Sequence, residues 1–101
     1  MHLVQILLPI FDNQGKMLPR ALHQKVKTEL TRRYKGLTAY THTPAEGLWR
    51  TGNQTNRDQI VIYEVMTAQE NPKWWKNYRA RLEKRFKQQL VVIRAQEIIL
   101  Y

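Results

Sequence analysis

The chain reads as an α+β protein of β-α-β-β-α-β order, with a four-stranded antiparallel sheet and two helices on one face. Three observations predict this. Two stretches carry apolar residues at helical spacing with Lys and Arg on the opposite side. Four other stretches are rich in β-branched residues at strand length. The six segments also form a weak repeat, strand, basic amphipathic helix, strand, twice over.

Residues 2–10 read as the first strand. Val4, Ile6 and Leu8 would lie on one face and Leu3, Gln5 and Leu7 on the other, a two-sided pattern that suits an interior strand. Residues 12–15, DNQG, form a turn. Leu18, Leu22, Val26, Leu30 and Tyr34 then recur every four residues, which predicts a helix from about Pro19 to Lys35, with Gly36 as a left-handed C-cap. Residues 37–43, LTAYTHT, read as the second strand, interrupted by Pro44–Gly47 and resuming at Leu48–Arg50. Proline at that point argues for an edge strand or a bulge. Residues 52–57 read as a polar connection to the third strand, Asp58–Thr67, the most strand-like stretch of the chain. Asn71 and Pro72 suit the N-cap and first position of a second helix, whose stripe is Trp75, Tyr78, Leu82 and Phe86. Leu90–Tyr101 is strand-like again.

Right-handed crossovers limit this order to few topologies, and the usual one is the ferredoxin-like split βαβ arrangement with strands one and three in the centre. The first and third strands are the most apolar here, as that topology requires. At 101 residues the chain fits one such domain, spanning 1–101. A chain this size buries roughly 60–70% of its unfolded surface, enough for a single core.

Composition excludes several function classes. Without cysteine there is no disulfide scaffold, thiolate zinc site or cysteine nucleophile. Three scattered histidines lack ligand spacing, so no metal is expected. No GxGxxG, P-loop or GxSxG occurs, so no cofactor is expected. The first apolar run is broken by Gln5 and ended by Pro9, unlike a signal segment, and no run approaches the roughly 20 residues of a membrane span. A cytoplasmic protein is the expectation. The net charge is +9, and 14 of the 17 Lys and Arg residues fall in 16–35 and 73–87, opposed there only by Glu29 and Glu83.

One residue interrupts the apolar third strand: Glu64, between Tyr63 and Val65. Helices cover only one face of the sheet, so Ile60, Ile62 and Met66, with Leu3 and Leu7, would be exposed on the other if Gln5 sits beside Glu64. An apolar patch of that kind rarely faces water in a monomer, and the simplest cover is a second copy, packed sheet to sheet. In element order the whole chain resembles the dimeric α/β-barrel proteins, which include small monooxygenases, isomerases and decarboxylases. The stretches PIFDNQGK, PAEGLW and WWKNY are similar to those of a small family of uncharacterised bacterial proteins, which brings no assigned activity. Haem-degrading members of the barrel superfamily use an Asn, a Trp and a His on the second helix; here that helix has no histidine, which argues against that chemistry.

Hairpin pairing across 52–57 would set Glu64 opposite Ala45 or Glu46 and Trp49 opposite Ile60. The open face would then gather Glu64, Gln5, Trp49, His42, Tyr40 and Arg94. Walled by Ile, Met and Trp, the Glu64 carboxylate would be desolvated, as a general acid or base requires, with His42 as a second titratable group. The structural alternative, which we favour, is an ion pair of Glu64 with Arg94, Arg50 or the partner copy. His42 on an edge is more often an exposed strand residue than a base. Trp74 and Trp75 suit helix packing and dimer contacts, and His23 next to Leu22 suits a solvated position. Thus the leading expectation is a homodimer whose sheet face binds or turns over a small apolar ligand through Gln5, Tyr40, Trp49 and Arg94. A nucleic-acid or polyanion binder using Arg20, Lys27, Arg79 and Arg85 is the alternative, since RNA-recognition domains share this element order and +9 is an electrostatic footprint. Against it, such domains stack bases on sheet aromatics, and here the first strand has none and the third only Tyr63. A pure assembly module is the third reading.

Overall fold

In the computed structural model the backbone is described for residues 1–51 and 54–101, and side chains for 1–39 and 59–101. The elements are β1 (His2–Pro9), α1 (Arg20–Arg33), β2 (Thr38–Thr51), β3 (Gln54–Thr67), α2 (Pro72–Arg85) and β4 (Val92–Glu97). They form one antiparallel sheet of order β2-β3-β1-β4, so the two most apolar strands are the central ones. The fold is the ferredoxin-like α+β arrangement expected from the sequence.

The core lies between the helices and one sheet face. It consists of Val4, Ile6 and Leu8 of β1, Val61, Tyr63 and Val65 of β3, Val26 and Leu30 of α1, Tyr78 and Leu82 of α2, and Phe86 and Val91. Alternation along the strands puts these side chains on the helix side and leaves Leu3, Gln5 and Leu7 of β1 on the other.

Helix ends depart from expectation at one place. Asn71 caps α2 as expected, its Oδ1 accepting the Trp74 N–H, with Pro72 at the first position. At the other end Lys87 adopts the left-handed conformation (φ 54), and Lys87 N and Gln88 N donate to Lys84 O and Glu83 O, a Schellman pattern built on lysine. Helix α1 is shorter than the predicted 19–35. Pro19 is its N-cap, and Tyr34 leaves it in extended conformation (φ −119, ψ 131), so Gly36 is not the left-handed cap expected. The Tyr34 ring explains the exit: it stacks on Trp75 at 5.5 Å between centroids and 8° between planes.

The β2–β3 register also differs. Thr38, not Ala45 or Glu46, stands opposite Glu64, and Trp49 stands opposite Asn56, not Ile60. Pairing continues to Thr51↔Gln54, so most of the polar 52–57 stretch is strand. The register shifts between Tyr40 and Ala45, where the proline-containing stretch was expected to hold a bulge. β1 pairs with β3 only over Ile60–Thr67. Beyond Gln59, whose carbonyl accepts the Ile10 N–H at 3.0 Å, no third strand pairs with the β2–β3 ribbon among the described residues. β4 is likewise shorter than the predicted 90–101. Its last pair, Glu97↔His2, uses up β1, and of the tail only Ile98 N still bonds to Met1 O.

Candidate functional site

Three strands place one polar row across the open face. Gln5 of β1 pairs with Glu64 of β3 on one side and Arg94 of β4 on the other. Equal offsets along adjacent strands put their side chains on one face. The Gln5 Nε2 donates to Glu64 Oε1 at 2.6 Å, and the Arg94 Nε donates to Gln5 Oε1 at 2.7 Å. A guanidinium only donates and a carboxylate only accepts, so the Gln5 amide has one orientation: carbonyl to Arg94, NH₂ to Glu64. Gln5 thus links a cation and an anion on opposite sides of β1. Glu64 is half-buried and Arg94 exposed.

Apolar rows flank this one. Leu3 pairs with Met66 on one side of it, and Leu7 with Ile62 and Val92 on the other, followed by Pro9 with Ile60. Leu3, Leu7, Ile60 and Ile62 are half-buried, while Met66 (53%) and Val92 (42%) are largely exposed, an unusual state for large apolar side chains gathered on one sheet face. A concavity of about 320 Å³ adjoins the row, lined by Leu3, Gln5, Arg94, Ala95 and Gln96. The structure therefore brings together Gln5, Glu64 and Arg94 of the expected site. Register sets Tyr40 opposite Ile62. The side chains of Tyr40, His42 and Trp49 lie outside the described residues, as do those of Glu46 and Arg50.

The remaining titratable groups with described environments are tied into the fold. His23, expected to be solvated, is half-buried under α1. Its Nε2 lies 3.0 Å from Pro9 O and its Nδ1 2.6 Å from the Tyr63 hydroxyl, and its ring meets Phe86 edge-on at 5.1 Å. A backbone carbonyl can only accept, so Nε2 carries the proton and Nδ1 accepts from Tyr63. Burial holds His23 below its ordinary pKa and pushes the Tyr63 hydroxyl up to about 12. Between the helices, Arg85 grips Glu29 with two hydrogen bonds of 2.6 and 3.0 Å, and the Tyr78 hydroxyl donates to the same carboxylate at 3.1 Å. The Arg85 guanidinium holds Glu29 below the usual carboxylate range. Of the four cations read as polyanion contacts, Arg20 and Arg79 are exposed, Lys27 is half-buried, and Arg85 is taken up by this fork.

A second concavity escaped sequence reasoning. It lies on the helix side at the start of β1, about 410 Å³, with Val4, Trp75 and Ile93 among its apolar walls. Glu70 and Glu97 reach the His2 Nε2 to 3.2 and 3.8 Å, within ion-pair range but off hydrogen-bonding geometry. The cross-strand pair His2↔Glu97 was the only signal for it, and that needs the β1–β4 register. Among the described residues no group of His, Asp and Glu could hold a metal ion.

No family model and no curated protein matches this chain. Solved structures that share its fold include the following two. A point variant of CutA1 from Pyrococcus horikoshii OT3 aligns over 97% of this chain and 83% of its own at 12% identity, with a TM-score of 0.60. A phage SAM lyase in complex with S-methyl-5'-thioadenosine aligns over 95% and 80%, also at 12% identity, with a TM-score of 0.59. At that identity the likeness is one of fold. Among the described residues no helix is long and apolar enough to cross a membrane.

Proposed function

We propose that the protein is a homodimer, joined sheet to sheet, which holds a small, mostly apolar ligand against the Arg94–Gln5–Glu64 row. The observation that carries this reading is the open face itself: among the described residues, six large apolar side chains crossed by the Arg94–Gln5–Glu64 row. Burying those side chains stabilises association by roughly 25 cal/mol per Å² removed from water.

The row also selects the geometry of pairing. Charge runs negative, neutral, positive across β3, β1 and β4. A two-fold axis parallel to β1 lays β3 of one copy over β4 of the other. Glu64 then meets the second copy's Arg94, Gln5 meets Gln5, and Ile62 meets Val92. A two-fold axis across the strands would instead set Glu64 against Glu64, which repels. An isologous interface is therefore self-complementary in one orientation only. Gaps in such an interface, beginning with the concavity beside Gln5 and Arg94, are the ligand space. The phage SAM lyase, a domain of like fold, is in complex with a small ligand, which supports the reading as analogy. Gln5 and Arg94 line that concavity and supply its polar groups, while Tyr40, His42 and Trp49 belong to β2, on the far side of β3 from it.

Sedimentation equilibrium tests the assembly. The wild type should sediment at twice 12.1 kDa. Glu64→Arg or Arg94→Glu alone should give monomer, and the double swap should restore the dimer, because every facing pair is then reversed together. A wild type that stays monomeric at 100 μM would overturn the proposal.

A further inference from the structure

The helix layer carries the whole net charge of the molecule. Eleven of the 17 Lys and Arg residues but only two of the eight carboxylates lie on α1 and α2. Both carboxylates are turned inward: Glu29 is held by Arg85, and Glu83 accepts the Val91 N–H at 3.0 Å. Glu29 is thus neutralised by Arg85, which leaves Glu83 as the single helix carboxylate against ten Lys and Arg residues. On α2 the spacing of Lys73, Lys76 and Lys84 sets three ammonium groups on the face opposite Tyr78 and Leu82, along roughly 16 Å of helix. All three are exposed, and Ala80 fills the gap between them without obstructing approach. Arg79 flanks the stripe, also exposed.

We infer that this outer face of α2 binds the sugar–phosphate backbone of nucleic acid without reading sequence. The chemistry favours that partner. Ammonium groups on flexible stems bind phosphate as point charges and release counterions, whereas base recognition needs stacking or base-edge contacts. The aromatics of this layer cannot supply stacking: Trp74 lies against Tyr78 at 4.9 Å with the Arg33 guanidinium over its ring at 4.1 Å, and Trp75 lies against Tyr34. An anionic membrane fits less well, because the apolar stripe of α2 is spent in the core and its outer face has no large apolar residue to insert. This site lies on the side of the sheet opposite the proposed dimer face, so the two readings stand or fall separately.

The experiment is fluorescence anisotropy of the full chain with a labelled 20-base-pair duplex, titrated between 50 and 300 mM KCl. Binding should weaken with salt on a log–log slope of about −3, one unit for each of the three lysines. Lys76→Gln/Lys84→Gln should weaken binding at least tenfold and make the slope shallower by about two. Lys16→Gln/Lys35→Gln removes the same charge outside α2 and should weaken binding less than twofold. Circular dichroism confirms that both variants fold. Equal losses from the two pairs, absence of salt-dependent binding, or retention by phosphatidylserine vesicles but not by the duplex would each overturn the inference.

Discussion

Arg85→Ala breaks the one fork that ties α1 to α2. The two partners are mostly out of water: the Arg85 side chain is 13% exposed and that of Glu29 26%. The substitution leaves Glu29 with a single neutral donor, the Tyr78 hydroxyl at 3.1 Å. Removing one member of a fully buried pair costs about 3–5 kcal/mol. Access of water to a quarter of the carboxylate lowers this to roughly 2–3 kcal/mol. Glu29→Ala should cost less, about 1–2 kcal/mol, because the Arg85 stem can swing its guanidinium toward solvent. The double variant should fall short of the sum by about 1–2 kcal/mol. Urea denaturation followed by circular dichroism at one fixed protein concentration measures all three, since association would shift the midpoint. Acid provides a second readout. Glu29 titrates below its ordinary value in the folded chain, so its contribution is complete above about pH 4.5 and is lost as pH falls through the lower folded value. Glu29→Gln should flatten that acid limb. Strict additivity of the two single variants would refute the reasoning, and so would an unchanged acid limb.

Two further outcomes follow from the same contacts. Burial lowers the His23 pKa, so as pH drops below its ordinary 6.5 the unfolded chain takes up the proton first and stability declines. His23→Gln should remove that slope between pH 5 and 7 in urea midpoints, and an equally steep slope in the variant would contradict it. Gly15 has φ +81 and open space where a Cβ would go, so Gly15→Ala should cost about 1–2 kcal/mol of purely conformational energy, whereas Gly36→Ala, with the same open space and no left-handed backbone, should be neutral or slightly stabilising in thermal melts.

Sequence by itself determined the order of elements, the central position of β1 and β3, the cap of α2 and the face of each helix that is buried. These follow from period and local chemistry. Two-sided apolar alternation marks a central strand wherever it lies, Asn71 before Pro72 caps whatever helix comes next, and the stripe from Trp75 to Phe86 has one apolar side to bury. The grouping of Gln5 with Glu64 was legible for the same reason: both interrupt apolar strands that the topology makes neighbours.

Tertiary structure decided what depends on distance along no single segment. The β2–β3 register moved by several residues because the ribbon pairs on past the sheet body, where no apolar pattern marks a strand. Gly36 lost its expected role because Tyr34 finds a stacking partner in Trp75, 41 positions away in the chain. His23, beside Leu22 on the helix, looked solvated from its own segment. Its two partners come from β1 and β3, and only the packed sheet brings them to it. Arg85 looked like one more surface cation until the second helix placed it on Glu29. In each case a polar group's state is set by which donors and acceptors reach it, and local sequence lists those groups without saying which will meet.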